Sequence, residues 1–380
     1  VYFKFRVRKF MKLFKSLLVA PATLGLLAPL SATANEVTIN DFTPAEQLAI
    51  TNSRVDGLEA RLNNFEAGSF SETTTASFSA DFAIGAVDGS AAQDAVQALY
   101  GFQIDLNTSF TGEDSLDISI DAGNGGNGLT EIDLNEGTAD DVLTLDGIAY
   151  TFPLGEKVTI MVGNDIDGSS LYSTACVYGG PTNTLDDCGN AYSAMAASEA
   201  TGLSASFDIG NGFTAAIGYE GEGDNTDGLM TTQGTDTYGG QLSYGADQYG
   251  VSVTYANYDT PATDTTYVGL NGYFAPEETG TAVPSISVGY ETGNPGDSTT
   301  DTTHYFVGVQ WDEMGPGTLG LAFGTQQHYA ENATEYLMYE AFYSYPVNDG
   351  MTITPVIFVK ETAAGSDDET GLVVKTSFSF

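Results

Sequence analysis

From residue 71 to the last residue, Phe380, apolar and polar side chains alternate with a period of two. In "GLVVKTSFSF" (371–380), Leu372, Val374, Thr376, Phe378 and Phe380 fall on one face, and Val373, Lys375, Ser377 and Ser379 on the other. A period of two is the repeat of a β-strand. The pattern predicts sixteen strands, at 71–86, 97–110, 114–123, 140–154, 156–164, 200–208, 211–219, 236–245, 249–258, 264–275, 283–292, 302–312, 317–328, 334–345, 350–361 and 370–380. The fold class is all-β.

Two features choose among all-β architectures. One face carries Leu, Val, Phe and Tyr, the other Ser, Thr, Gly, Asn and Asp: Tyr249, Val251, Val253 and Tyr255 oppose Gly250, Ser252, Thr254 and Ala256. A soluble sandwich shows this too. The connections, however, alternate in length. Tight turns at 154–157, 210–212, 245–248 and 348–350 are interleaved with long Asp/Gly/Thr-rich loops at 124–139, 165–199, 220–235 and 361–369. Short turns on one rim and long loops on the other fit an up-and-down barrel in an outer membrane. In hydrocarbon a sheet cannot leave an edge unpaired, so the final strand is expected to pair with the first, apolar face outward to its end. Aromatic residues near strand ends (Tyr150, Phe152, Tyr219, Tyr238, Tyr258, Phe274, Tyr290, Trp311, Phe323 and Tyr345) are expected to gather at the membrane–water boundaries. A near-neutral mean hydropathy of −0.08 is compatible with alternating strands.

The N-terminal part reads differently. Met11, Lys12 and Lys15 open a basic segment, an apolar run follows from Leu17 to Leu30, and "SATA" (31–34) supplies small residues for cleavage, so 1–34 is expected to be a secretory signal with an upstream extension. Export implies an oxidising compartment. Six of the eleven basic residues precede residue 35 and no acid does; the remainder sets Arg54, Arg61, Lys157, Lys360 and Lys375 against 51 acids. Nucleic acid is a poor partner for such a chain. Residues 35–70 are expected to form a linker and a short coiled-coil helix. Leu48, Val55, Leu58, Leu62 and Phe65 make its seam, and "TPAE" (43–46) resembles a capping box. Residues 71–380 then form a 16-stranded antiparallel transmembrane β-barrel.

Several stretches resemble cyanobacterial outer-membrane porins, the iron-uptake porin group within the carbohydrate-selective porin superfamily. They are "MKLFKSLLVAPATLGLLAPLSATA" (11–34), "RVDGLEARLNNFEAGSFSETT" (54–74), "LNTSFTGEDSL" (106–116), "AYTFPLGEK" (149–157) and "CVYGGPTNTLDDCGN" (176–190). The resemblance implies a homotrimeric diffusion channel for small solutes and inorganic ions in the outer membrane of a Gram-negative-type bacterium. Members of this group usually carry an S-layer homology domain before the coiled coil. Only 35–42 separates signal from helix here, so a cell-wall tether of that kind is not expected.

Cys176 and Cys188, the only cysteines, lie twelve positions apart in the longest predicted loop and are expected to form a disulfide. In general porins the third long loop narrows the lumen. By that resemblance, 165–199 with Asp165, Asp167, Asp186 and Asp187 is the constriction candidate; capping of the outer mouth is the alternative. The wall residues expected to line a channel are Asp81, Asp105, Asp117, Asp121, Asp208, Glu220, Glu291 and Glu340, with Lys157, Lys360 and Lys375 as basic counterparts. An acidic wall favours cations. "GNGGNG" (123–128) lacks the helix that a phosphate loop needs, and the acidic loops lack the spaced ligands of a calcium site. No cofactor is expected. Two rival classes are a non-conducting structural barrel and an outer-membrane hydrolase. The hydrolase would need a nucleophile beside His304 or His328, and both are expected to point into the lumen.

Overall fold

The computed structural model describes residues 74–380, except 90–94, 126–128, 130, 133, 135–140, 196–199, 223–227, 278–282, 297–299 and 364–365. The chain divides into two units, Val1–Phe70 and Ser71–Phe380, and every described residue belongs to the second. The expected signal at 1–34 and the expected seam of Leu48, Val55, Leu58, Leu62 and Phe65 lie outside the described residues.

The alternating segments form strands β1 (Thr74–Asp88), β2 (Gln97–Thr108), β3 (Ser115–Gly123), β4 (Thr144–Leu154), β5 (Val158–Ile166), β6 (Ala200–Gly210), β7 (Phe213–Gly221), β8 (Asp236–Gly245) and β9 (Tyr249–Asp259). The second half supplies β10 (Asp264–Phe274), β11 (Ser285–Pro295), β12 (Thr302–Met314), β13 (Gly317–Thr325), β14 (Tyr329–Ala330), β15 (Leu337–Asn348), β16 (Met351–Lys360) and β17 (Glu369–Ser379). Sixteen of these are long; β14 has two residues and pairs only with the start of β12. Each long strand pairs antiparallel with its chain neighbours, and β1 pairs with both β2 and β17, so the sheet closes on itself. Among the described residues no helix is long and apolar enough to cross a membrane; the crossing is made by strands.

Closure reaches the final residue. Phe380 N–H donates to Phe78 O at 3.0 Å and Phe78 N–H to Phe380 O at 2.9 Å. Their rings stack with centroids 5.8 Å apart. Register Ala80↔Phe378 through Asp88↔Thr370 continues the seam.

The apolar face points outward. Phe82, Leu203, Phe207, Val251, Val253, Tyr255, Leu270 and Val288 are all exposed on the barrel exterior. A continuous exposed band of this kind is stable against lipid and not against water. Aromatic rings cluster on the turn rim: Phe213, Tyr244 and Tyr249 touch in sequence, as do Phe110, Tyr150 and Phe152. Tyr258 departs from the expected girdle. It is 9% exposed and faces inward, because residues 250, 252, 254, 256 and 258 of β9 share the inner parity, and it packs on Tyr192 and Tyr267. The rhythm of turns and loops has exceptions on both rims; on the turn rim, β10 and β11 are separated by 275–284. The connection 260–263 is on the loop rim yet is a tight turn, closed by Thr260 N–H to Thr263 O at 3.2 Å and by Thr260 Oγ1–H to the same carbonyl at 2.8 Å.

Candidate functional site

The interior is organised by the connection between β5 and β6. Its first half runs extended along the inner wall, across the strands. Alternate backbone N–H groups donate to wall side chains: Leu171 to Ser204 Oγ at 3.3 Å, Ser173 to Gln241 Oε1 at 2.7 Å, and Ala175 to Ser252 Oγ at 3.0 Å. Val177 N–H donates to Ser287 Oγ at 3.0 Å and Gly179 N–H to Gln310 Oε1 at 3.1 Å. The acceptors stand on β6, β8, β9, β11 and β12, met in that order round the barrel. A loop inside a protein must satisfy its backbone donors. This one uses side chains that the period-two pattern had already placed on the inner face.

Three acids complete the attachment. Glu220 Oε2 accepts Gly168 N–H at 2.7 Å. Glu291 Oε2 accepts Ser193 N–H at 2.6 Å, and its Oε1 meets His328 Nε2 at 2.6 Å. Glu340 accepts the Tyr178 hydroxyl. The wall also provides room for the backbone. A Cβ on Gly289 would lie 1.8 Å from Cys188 O, and one on Gly218 would lie 1.9 Å from Gly168 O. Cys176 and Cys188 form the disulfide, with Cα atoms 6.4 Å apart. It ties the outgoing arm of the loop to its return, where Asn271 Nδ2 donates to Cys188 O at 2.9 Å.

A second loop, between β3 and β4, also enters. Glu131 O accepts Asn183 N–H at 3.1 Å, Glu131 Oε2 accepts Thr184 N–H at 3.2 Å, and the Glu131 carboxylate pairs with Lys360. Leu129, Ile132 and Leu134 from this loop join Tyr178, Leu185 and Cys188 from the first. They pack on inward-facing Ala83, Phe306, Met338, Phe342, Val356, Phe358 and Val373. That arc of the interior is a hydrophobic core.

The expected site residues separate into groups. Asp105 accepts from Ser119 Oγ at 2.8 Å and from Gln103 Nε2 at 3.0 Å; Asp117 accepts from Asn107 Nδ2 at 2.5 Å and from Ser115 Oγ at 2.6 Å. Both are half-exposed on the inner face. Asp121 is buried and accepts from Thr144 Oγ1 at 2.6 Å. Asp208 and Lys157 are exposed and border a cavity of about 250 Å³ together with Thr159, Ser173, Ser206 and Thr214. Glu220, Glu291 and Glu340 face inward but lie under the loop, where they hold it. Asp81 pairs with Lys375 at 3.0 Å.

Asp165, at the end of β5, accepts from Asn164 Nδ2 at 2.8 Å, and Asp186, within the loop, is exposed. Burial pushes the Asp167 carboxyl up to about 6. Burial, then the charges of Glu291 and Asp167, push Asp187 up to about 6. The two histidines face inward and stack, with ring centroids 5.5 Å apart. Ser193 Oγ donates to Glu291 Oε2, and His328 contacts the other oxygen of the same carboxylate. The acid therefore stands between serine and histidine, so the imidazole does not reach the hydroxyl it would have to deprotonate. Among the described residues no cluster of His, Cys, Asp or Glu is placed to hold a metal ion.

Sequence reasoning did not single out Ser204, Gln241, Ser252, Ser287 and Gln310 as loop acceptors. Their inner-face parity was the available signal. The inward Phe306, Phe342 and Phe358 carried none beyond their position on a face otherwise polar.

The fold is shared with solved channels. The anion-selective porin of Comamonas acidovorans superposes with a TM-score of 0.56 at 13% identity, over 81% of this chain and 99% of that one. OprB of Pseudomonas putida gives a TM-score of 0.57 at 11% identity, over 81% and 94%. In sequence, an uncharacterized protein of Nostoc sp. is 24% identical across 92% of this chain and 74% of its own length. The model of the carbohydrate-selective porin, OprB family, matches residues 48–380. A closed sixteen-strand outer-membrane barrel with loops folded inside, matched by that family over most of its length, belongs to the carbohydrate-selective porins of the OprB family.

Proposed function

We propose that the protein is a passive diffusion channel for small hydrophilic solutes and inorganic ions, with a weak preference for cations, and that loop 165–199 sets its narrowest section. The observation that carries the charge preference is the fate of two of the three wall lysines. Lys360 is paired with Glu131 and Lys375 with Asp81, so neither presents a free positive charge to the lumen. Asp105, Asp117 and Asp208 face it with hydroxyl and amide partners or backbone N–H donors, none of them a cation. These three acids outnumber the exposed Lys157, and a wall of net negative sign concentrates cations. The constriction role is supported by the wall contacts of the loop from Gly168 to Ser193.

Protein refolded into a planar bilayer under a KCl gradient is expected to give a reversal potential on the potassium side of zero. A chloride-side value would overturn the preference. Liposome swelling with sugars of graded size is expected to show uptake of small sugars. The resemblance to iron-uptake porins and the homotrimer it implies belong to the same proposal. Uptake of ferric and ferrous salts into loaded liposomes and mass analysis in detergent test them.

A further inference from the structure

The two inward loops do not cover the wall evenly. The β5–β6 loop is bonded to β6, β7, β8, β9, β11, β12 and β15. With the β3–β4 loop it packs an apolar core on β1, β12, β13, β15, β16 and β17, in which Phe358, Met338 and Val373 are 0% exposed. Water has no room there, and a polar solute would have to shed its hydration to enter. The inner face of β2 to β5, and the turn-rim ends of β6 and β7, are different. Gln103, Asp105, Asp117, Ser119 and Thr159 stay half-exposed, and the cavity beside Lys157 and Asp208 opens against the same arc.

We infer that permeation is eccentric: solutes pass along the arc from β2 to β7, between that wall and the outer edge of the loop at Ser173, while at mid-height the opposite arc is filled by Phe342, Val356 and Ala322. This rests on the reading of the protein as a conducting channel. It makes Asp105, Asp117 and Asp208 the acids, and Lys157 the base, that set ionic preference. Asp105 pairs across the sheet with Ser119, and Asp117 with Asn107, so the two carboxylates are diagonal neighbours on one face, roughly 7 Å apart. The acids under the loop and those in ion pairs contribute little, because permeating ions do not approach them.

Both native cysteines are in the disulfide, so an introduced thiol is unique. Ser119→Cys and Thr159→Cys mark the open arc; Val356→Cys and Ala322→Cys mark the filled one. Full-length variants in a bilayer are treated with a methanethiosulfonate reagent bearing a quaternary ammonium group. A stepwise loss of single-channel conductance is expected at 119 and 159 and none at 356 or 322. Equal loss on both arcs, or none at 119 and 159 in a conducting protein, overturns the inference. A protein that never conducts overturns the channel reading instead. Asp105→Asn with Asp117→Asn gives a readout independent of thiol chemistry: the reversal potential should move toward zero, and an unchanged value counts against the assignment.

Discussion

At the scale of single residues, the decisive positions are those where wall and loop meet. Gly289 has no space for a side chain, since an added Cβ would press on Cys188 O at 1.8 Å. Gly289→Ala is expected to displace the return arm of the loop and lower stability by about 1–3 kcal/mol, as overpacking does. Gly272→Ala is the matched control: it stands on the same sheet, and its added Cβ would find its nearest neighbour at 3.5 Å. Thermal unfolding followed by circular dichroism should separate them. At the seam, Phe380→Ala would remove the stack on Phe78 but keep both backbone hydrogen bonds. A loss of about 0.5–1.5 kcal/mol is expected, read as a lower unfolding midpoint in the same assay. The exterior residues were legible from alternation because lipid imposes one rule on all of them. Phe306, Phe342 and Phe358 were not, because an inward aromatic is paired with a partner from a distant loop, and no local period encodes that partner. Tyr258 was misplaced for a related reason: nearness to a strand end suggested the membrane boundary, while its parity pointed inside.

At the scale of elements, the loop from 167 to 195 behaves as a part with its own acid–base balance. Asp167 and Asp187 both hold their protons up to about pH 6 in the folded loop, against an ordinary carboxyl value near 3.8. The folded state therefore binds more protons than the released loop between those values, and stability falls as pH rises through that window. Above about 6 the two carboxylates are charged and repel each other and Glu291. Below about 4 both states are protonated and the penalty is gone. The loop is thus expected to be held more firmly at pH 5 than at pH 8. Amide exchange of Val177 and Ser193, corrected for intrinsic base catalysis, should show greater protection at pH 5, and Asp187→Asn should flatten the difference. Equal protection at both pH values would remove this account. The disulfide within the loop was legible, since two cysteines in an exported chain leave one pairing. Whether the loop capped the mouth or entered the lumen was not. The answer lies in five acceptors spread over five strands, and each alone looks like an ordinary polar inner-face residue.

At the scale of the whole molecule, closure and charge act together. The sheet closes on itself and leaves no open edge, so the barrel can sit in hydrocarbon. What remains for function is the field inside. The chain carries 51 acids; those exposed on the rims, such as Asp247, Asp349 and Asp367, are screened by salt. The screening length is about 10 Å at 0.1 M and roughly 3 Å at 1 M. An eccentric path that hugs one wall keeps a permeating ion near Asp105 and Asp117 along that section, whereas a central path would hold it farther from every charge. Cation preference should then persist at 0.1 M and fade toward 1 M, as the screening length drops below the distance from ion to wall. Reversal potentials at a fixed KCl ratio and rising total concentration measure this. A preference that stays constant with salt would mean that ions touch the carboxylates directly. A preference already absent at 0.1 M would place the path away from this wall.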